Sequence, residues 1–126
     1  MRRMLRHEQR GEGRHMAIEG VLAQAVVTDL DRAVEWYTTV FGKAPDDRPM
    51  DGLVEWHFGP SCGVQVWLEP ERAGRSSMVL DDGDLDAMAR RLTADGVTHG
   101  DIEQVTSSRI LRLADPDGNR IVIAGQ

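Results

Sequence analysis

Val21-Leu22-Ala23-Gln24-Ala25-Val26-Val27, followed by Thr28-Asp29-Leu30-Asp31-Arg32-Ala33-Val34-Glu35-Trp36-Tyr37 and closed by Phe41-Gly42, is the stretch that decides the fold. An apolar run of strand character meets Asp29, whose carboxylate can accept hydrogen bonds from the free amides of a first helical turn. Leu30, Ala33, Val34, Tyr37, Val40 and Phe41 then recur at the three-and-four spacing of one helical face. Gly42 supplies the residue that tolerates the left-handed conformation common at a helix end. The chain then repeats itself: Met78-Val79-Leu80 is strand-like, Asp84 stands at a helix start, Leu85, Met88, Ala89 and Leu92 share a face, and Asp95-Gly96 closes the unit. Strand candidates follow each helix, Leu53 to Phe58 and Gly63 to Leu68 in the first half, Arg109 to Leu113 and Arg120 to Ala124 in the second. The pattern predicts an α+β fold of two βαβββ repeats, at about residues 20–70 and 75–125.

Neighbouring side chains on a strand point to opposite faces, so the alternation within these strands carries information. Val54, Trp56 and Phe58 point one way, Glu55 and His57 the other. In the next strand Val64, Val66 and Leu68 form the apolar set, against Gly63, Gln65, Trp67 and Glu69. The apolar sets need a helix to cover them, which leaves the polar sets to line the opposite face. Two curved mixed sheets side by side then surround a central, polar-lined cleft, with the helices outside.

The 126 residues match one domain with one core. A net charge of −6 and a pI near 5.1 argue against nucleic acid or an anionic membrane as the main partner. No apolar run is long enough to span a bilayer, and the single cysteine, Cys62, excludes an internal disulfide. The first fifteen residues carry Arg2, Arg3, Arg6, Arg10 and Arg14 against Glu8 and Glu12, a net +3, without the apolar stretch of a secretory signal. They read as a flexible basic tail (1–15) before a domain at 16–126, with Met16 a possible translation start, and the expected setting is cytoplasmic.

The two repeats, with Asp-Leu-Asp, Trp-Tyr and Phe-Gly in the first and Leu113-Ala114-Asp115-Pro116-Asp117-Gly118-Asn119-Arg120-Ile121 late in the chain, resemble the vicinal oxygen chelate superfamily. That group includes glyoxalases, extradiol dioxygenases, fosfomycin-inactivating enzymes and bleomycin-resistance proteins, and the likeness covers roughly Val21 to Ala124. The resemblance implies metal ligands at four strand positions around the cleft. Here those positions hold Leu22, Gln65, Ser77 and Val122. Divalent metals of this chemistry want imidazole and carboxylate donors, which two aliphatic side chains, a hydroxyl and an amide do not supply. Beyond the tail the chain has only His57 and His99, so no metal and no cofactor is expected. The resemblance also implies a homodimer whose clefts are formed or completed between chains.

Glu55 and His57, two apart on one strand, share a face and read either as a general-base pair or as an ordinary polar pair on a wet sheet surface. Gln24 and Gln65 are candidates for hydrogen bonds to a ligand or to each other, and Trp67 offers a flat surface for an aromatic or cationic group. Ser77 and Arg112 complete the candidate ligand-binding set, Arg112 with the alternative of pairing, like Arg109 and Arg120, with Asp115 or Asp117. Tyr37 and Trp56 read as core. Three functions remain open. The chain reads first as a metal-independent protein that binds a small hydrophobic or aromatic molecule, as bleomycin-resistance proteins do. The second reading is a metal-free isomerase or epimerase working through Glu55 and His57, and the third a metal-dependent lyase or dioxygenase.

Overall fold

The computed structural model describes residues 17–126; the basic segment 1–15 and Met16 lie outside the described residues. The element order is β1 (Val21–Val27), α1 (Leu30–Phe41), β2 (Asp47–Met50), β3 (Leu53–Gly59), β4 (Cys62–Leu68), a 3-10 turn (Pro70–Arg72), β5 (Ser77–Asp81), α2 (Leu85–Ala94), β6 (Glu103–Val105), β7 (Ser108–Ala114) and β8 (Arg120–Gly125). Both helices begin as the aspartates predict. Asp29 accepts from the Arg32 amide at 3.1 Å and Asp84 from the Ala87 amide at 3.0 Å. Gly42 ends α1 at φ +73°, the left-handed conformation that a Cβ disfavours.

The strands form two four-stranded mixed sheets, ordered β1-β4-β3-β2 and β5-β8-β7-β6. In each the outermost first strand pairs in parallel with the last strand of its repeat, and the other neighbours are antiparallel. The two halves therefore have the same topology, the βαβββ repeat. Short β2 and β6 were not legible, because Asp47-Arg48-Pro49-Met50 and Glu103-Gln104-Val105 carry no apolar alternation, and every residue in them is exposed.

Register places Ala23, Ala25 and Val27 beside Val64, Val66 and Leu68 on one face of the first sheet, with Val54 and Trp56 across β3. Met78, Leu80, Ile121, Ile123, Leu111 and Leu113 form the matching face of the second. These faces and the buried residues of α1 and α2 make one continuous core, with Trp56, Tyr37, Leu85 and Leu92 its largest fully buried members. Phe58 and Leu68 depart from the alternation: they belong to the covered face but remain 45% and 38% exposed at the ends of their strands.

Two polar devices join the repeats. In the first, Arg91 of α2 donates to the carbonyls of Thr39 and Val40, the C-terminal acceptors of α1, which has no basic residue in its own last turn. The second is the Asp115-to-Asn119 turn. Asn119 is fully buried, donates to the Val26 carbonyl at 2.8 Å and accepts from the Ser76 amide at 2.8 Å. Buried Asp115 accepts from the Tyr37 hydroxyl at 2.7 Å, from the Asn119 side chain at 2.8 Å and from two backbone amides. Asp117 accepts from the Thr28 amide and hydroxyl. Burial first, then the Asp115 carboxylate, pushes the Tyr37 phenol far up, so it stays a neutral donor. Asp115 and Asp117 are thus committed to the first repeat, and two of the three arginines named as their partners go elsewhere, Arg109 to Asp86 at 2.7 Å and Arg112 to Glu103 at 2.8 Å. His99 is half-buried between Thr93 and the Gly100 carbonyl.

Candidate functional site

The register of the first sheet decides which polar side chains meet. On the face turned away from the core, Leu22, Gly63 and His57 lie in one row, Gln24, Gln65 and Glu55 in the next, and Val26, Trp67 and Leu53 in the third. Side chains directly opposite on paired strands are near enough to interact. The middle row is a chain of hydrogen bonds: Gln24 Nε2 to Gln65 Oε1 at 3.1 Å, then Gln65 Nε2 to Glu55 Oε2 at 2.7 Å. His57 Nε2 lies 3.0 Å from Glu55 Oε1, and the His57 amide donates to Asp46 Oδ2 at 2.7 Å. Asp46, just before β2, is a member the sequence did not offer, since only folding brings it against β3.

The direction of this chain follows from charge. Glu55 is 8% exposed, and the hydrogen bond from His57, then that from Gln65, hold its carboxyl below the usual range against the opposing effect of burial. An ionised carboxylate only accepts, so Gln65 must turn its NH2 to Glu55 and its oxygen to Gln24. Gln24 must then donate to Gln65, which leaves the Gln24 carbonyl oxygen as the acceptor presented by the row. By the same rule His57 donates through Nε2, leaving Nδ1 as the proton-accepting atom.

Around this row stand the apolar side chains of Leu22, Val26, Leu53 and Trp67. Gly63 has no room for a side chain: a Cβ there collides with the Trp56 carbonyl and comes within 3.0 Å of Leu22 Cδ2, so Leu22 leans across it. Leu22 and His57 line a hollow of about 330 Å³ shared with Glu19, Ser61 and Cys62. Trp67 is half-buried and anchored through Nε1 to Glu69 at 3.0 Å.

Ser77 and Arg112 are on the second sheet. Ser77 is exposed opposite Arg120, and Arg112 stands beside Val122 with its guanidinium on Glu103. Among the described residues no hydrogen bond joins either to the Gln24-Gln65-Glu55-His57 group. The structure therefore brings four of the sequence candidates together, sets Trp67 in the adjacent row, and places Ser77 and Arg112 apart.

The four family metal positions do not fit a divalent metal. Leu22 and Val122 have no donor atom, and the Gln65 oxygen is engaged by Gln24. Among the described residues no group of three or more His, Cys, Asp or Glu is placed to hold a metal ion.

The family model of the Glyoxalase/Bleomycin resistance protein/Dioxygenase superfamily matches residues 15–123. A glyoxalase/bleomycin resistance protein from Catenulispora acidiphila is 26% identical, with 85% of this chain and 97% of that chain covered and a TM-score of 0.78. TnmS3, an antibiotic binding protein from Streptomyces sp. CB03234, is also 26% identical, covering 88% of this chain and 98% of its own at a TM-score of 0.74. A bleomycin resistance determinant encoded on transposon Tn5 shares the fold at 19% identity and a TM-score of 0.72, over 84% of this chain and 96% of that one. No curated protein matches the sequence. With two βαβββ repeats, the Asp-Pro-Asp-Gly-Asn turn between its last strands and a family match across nearly its whole length, the chain belongs to the glyoxalase/bleomycin resistance protein/dioxygenase superfamily, the vicinal oxygen chelate group.

Proposed function

We propose that this protein is a metal-independent binder of a small hydrophobic or aromatic molecule, acting as a homodimer in the cytoplasm. The observation that carries the reading is the oriented row Gln24-Gln65-Glu55, set between Leu22 on one side and Trp67 on the other. A mostly apolar lining with a few fixed polar groups is the usual make-up of a small-molecule site. The Gln24 carbonyl selects a ligand that donates an N–H or O–H, and Trp67 offers a ring for stacking. The 26% identity to an antibiotic binding protein supports the same direction.

Metal content of the purified protein, with thermal melting in the presence of magnesium, manganese, zinc and nickel, tests the first half. The expected result is no stoichiometric metal and no specific shift; a ligand at a hundredfold excess over its Kd adds about 2.7 kcal/mol, which is easily seen. Bound metal at one per chain overturns the reading and restores a metal enzyme. Screening planar aromatics that carry an N–H or O–H tests the second half. Trp67→Ala should remove binding, and Gln24→Ala should weaken it about two- to tenfold, the scale of one hydrogen bond.

The contact between His57 Nε2 and Glu55 favours a second reading, proton transfer without metal, with His57 Nδ1 as the base and Glu55 as its positioning residue. Turnover lost in His57→Gln and retained in Trp67→Ala distinguishes it from simple binding.

A further inference from the structure

A cavity of about 480 Å³ lies at the junction of the two repeats, where the edge strands β1 and β5 approach each other, and none of Gln24, Gln65, Glu55 and His57 is among its lining residues. Its walls are Ala23, Phe41 and Phe58 from the first repeat and Leu80, Met88 and Ile123 from the second. The core is left unfilled here for a sequence reason. Along β1 the covered face runs Val27, Ala25, Ala23, Val21, and exposure rises from 0% at the first two to 69% at Val21, because Ala23 contributes only a methyl group. Phe41 and Phe58 meet edge to face at 4.9 Å and form an aromatic wall, and Val21 and Val79 border the mouth at 69% and 66% exposure. The volume falls within the range of ligand sites, roughly 300–1,000 Å³.

The polar groups of this cavity are of one sign. Asp81 and Asp82 lie at its mouth, and no Lys, Arg or His is among its lining residues. Asp82 spends one oxygen on the Asp84 amide, at 3.2 Å, while the exposed Asp81 carboxylate has no partner among the described residues. Among the described residues two cations stand behind its walls and are both engaged: Lys43, above the Phe58 ring at 5.8 Å, is paired with Asp46 at 2.8 Å, and Arg91, 3.2 Å from the Met88 sulfur, donates to the Thr39 and Val40 carbonyls. Apolar walls, an aromatic edge and an unpaired carboxylate at the mouth complement one kind of occupant. We propose that this cavity is a second binding site, separate from the polar face of the first sheet, for an apolar or aromatic molecule carrying one ammonium group.

Cys62, the chain's single cysteine, is exposed and shared by this cavity and the hollow lined by Leu22 and His57, so its labelling reports occupancy of the cavity when wild type is compared with Ala23→Leu, which fills only the cavity. The experiment compares 1-naphthylmethylamine with its uncharged counterpart 1-naphthalenemethanol, reading affinity by calorimetry and the rate of Cys62 labelling by a maleimide. The amine should bind about three- to fivefold more tightly, the scale of one exposed ion pair, and should slow Cys62 labelling at saturation. Asp81→Asn should erase the preference and leave alcohol binding intact. Ala23→Leu, with its fold checked by circular dichroism, should abolish binding of both, whereas Gln24→Ala should change neither. Equal affinity for the two probes, or labelling that neither slows, overturns the proposal. So does Cys62 labelling that slows with protein concentration alone, which would mean that a second copy covers the cavity.

Discussion

Glu55 acts on residues it touches and on one it does not, because its charge fixes Gln65, and Gln65 fixes Gln24. Glu55→Gln frees that constraint: Gln65 can turn its oxygen toward the new amide, Gln24 turns in response, and the row presents an N–H in place of a carbonyl. The variant should therefore prefer ligands that accept a hydrogen bond where the wild type prefers donors, a reversal that a paired ligand screen reads directly. The same charge gives a pH dependence. Because the folded carboxyl titrates below the ordinary Glu value of about 4.3, its stabilisation is complete above that value and is lost as pH falls through the lower, folded value. The melting-temperature advantage of wild type over Glu55→Gln should shrink as pH falls below about 4. Asn119 belongs to the same scale. Asn119→Ala strips the Val26 carbonyl, the Ser76 amide and Asp115 of a buried partner, and denaturant titration should show a loss of about 2–4 kcal/mol. Alternation alone placed Gln65, Glu55 and His57 on one face. That Gln24, Gln65 and Glu55 form one row was not legible, since cross-strand register is set by the pairing of β1 with β4 and by the irregularity in the hairpin after His57.

The helices were the most readable elements, because each announces its start with an aspartate, its buried stripe with a 3.6-residue period and its end with a glycine. Strands β3, β4, β7 and β8 were read to within a residue or so at their ends. Gly63 shows what strand patterns conceal. It looks like a weak point in β4, yet it is the residue that lets Leu22 lie across the sheet beside the His57 row. Gly63→Ala drives a methyl into the Trp56 carbonyl and against Leu22, and should cost about 1–3 kcal/mol in thermal or chemical unfolding, with widespread shifts in the amide spectrum of β3 and β4. A glycine needed only for flexibility would accept alanine with little change.

The doubling of the unit is plain in the amino-acid sequence, but the way its copies are joined is not. Nothing in the spacing of Arg91 connects it with the end of α1, and Arg91→Ala should destabilise the whole molecule by about 1.5–3 kcal/mol in denaturant. Arg91→Lys should recover only part of this, since one ammonium does not reproduce a planar fork set on two carbonyls. The Asp115-to-Asn119 turn was noted as a family-like hairpin, while its grip on Val26, Thr28 and Tyr37 has no periodic signature at all. That grip also governs the order of events in time. The bond from Asn119 to Val26 closes a loop of 93 positions, and such a contact forms late, after each sheet has assembled from nearer pairings. Substitution at Asn119 should then leave the refolding limb of a chevron plot almost unmoved and raise the unfolding rate by nearly the full stability loss. The turn that recommends this chain to its family is, on that account, a latch that sets how long the folded molecule lasts.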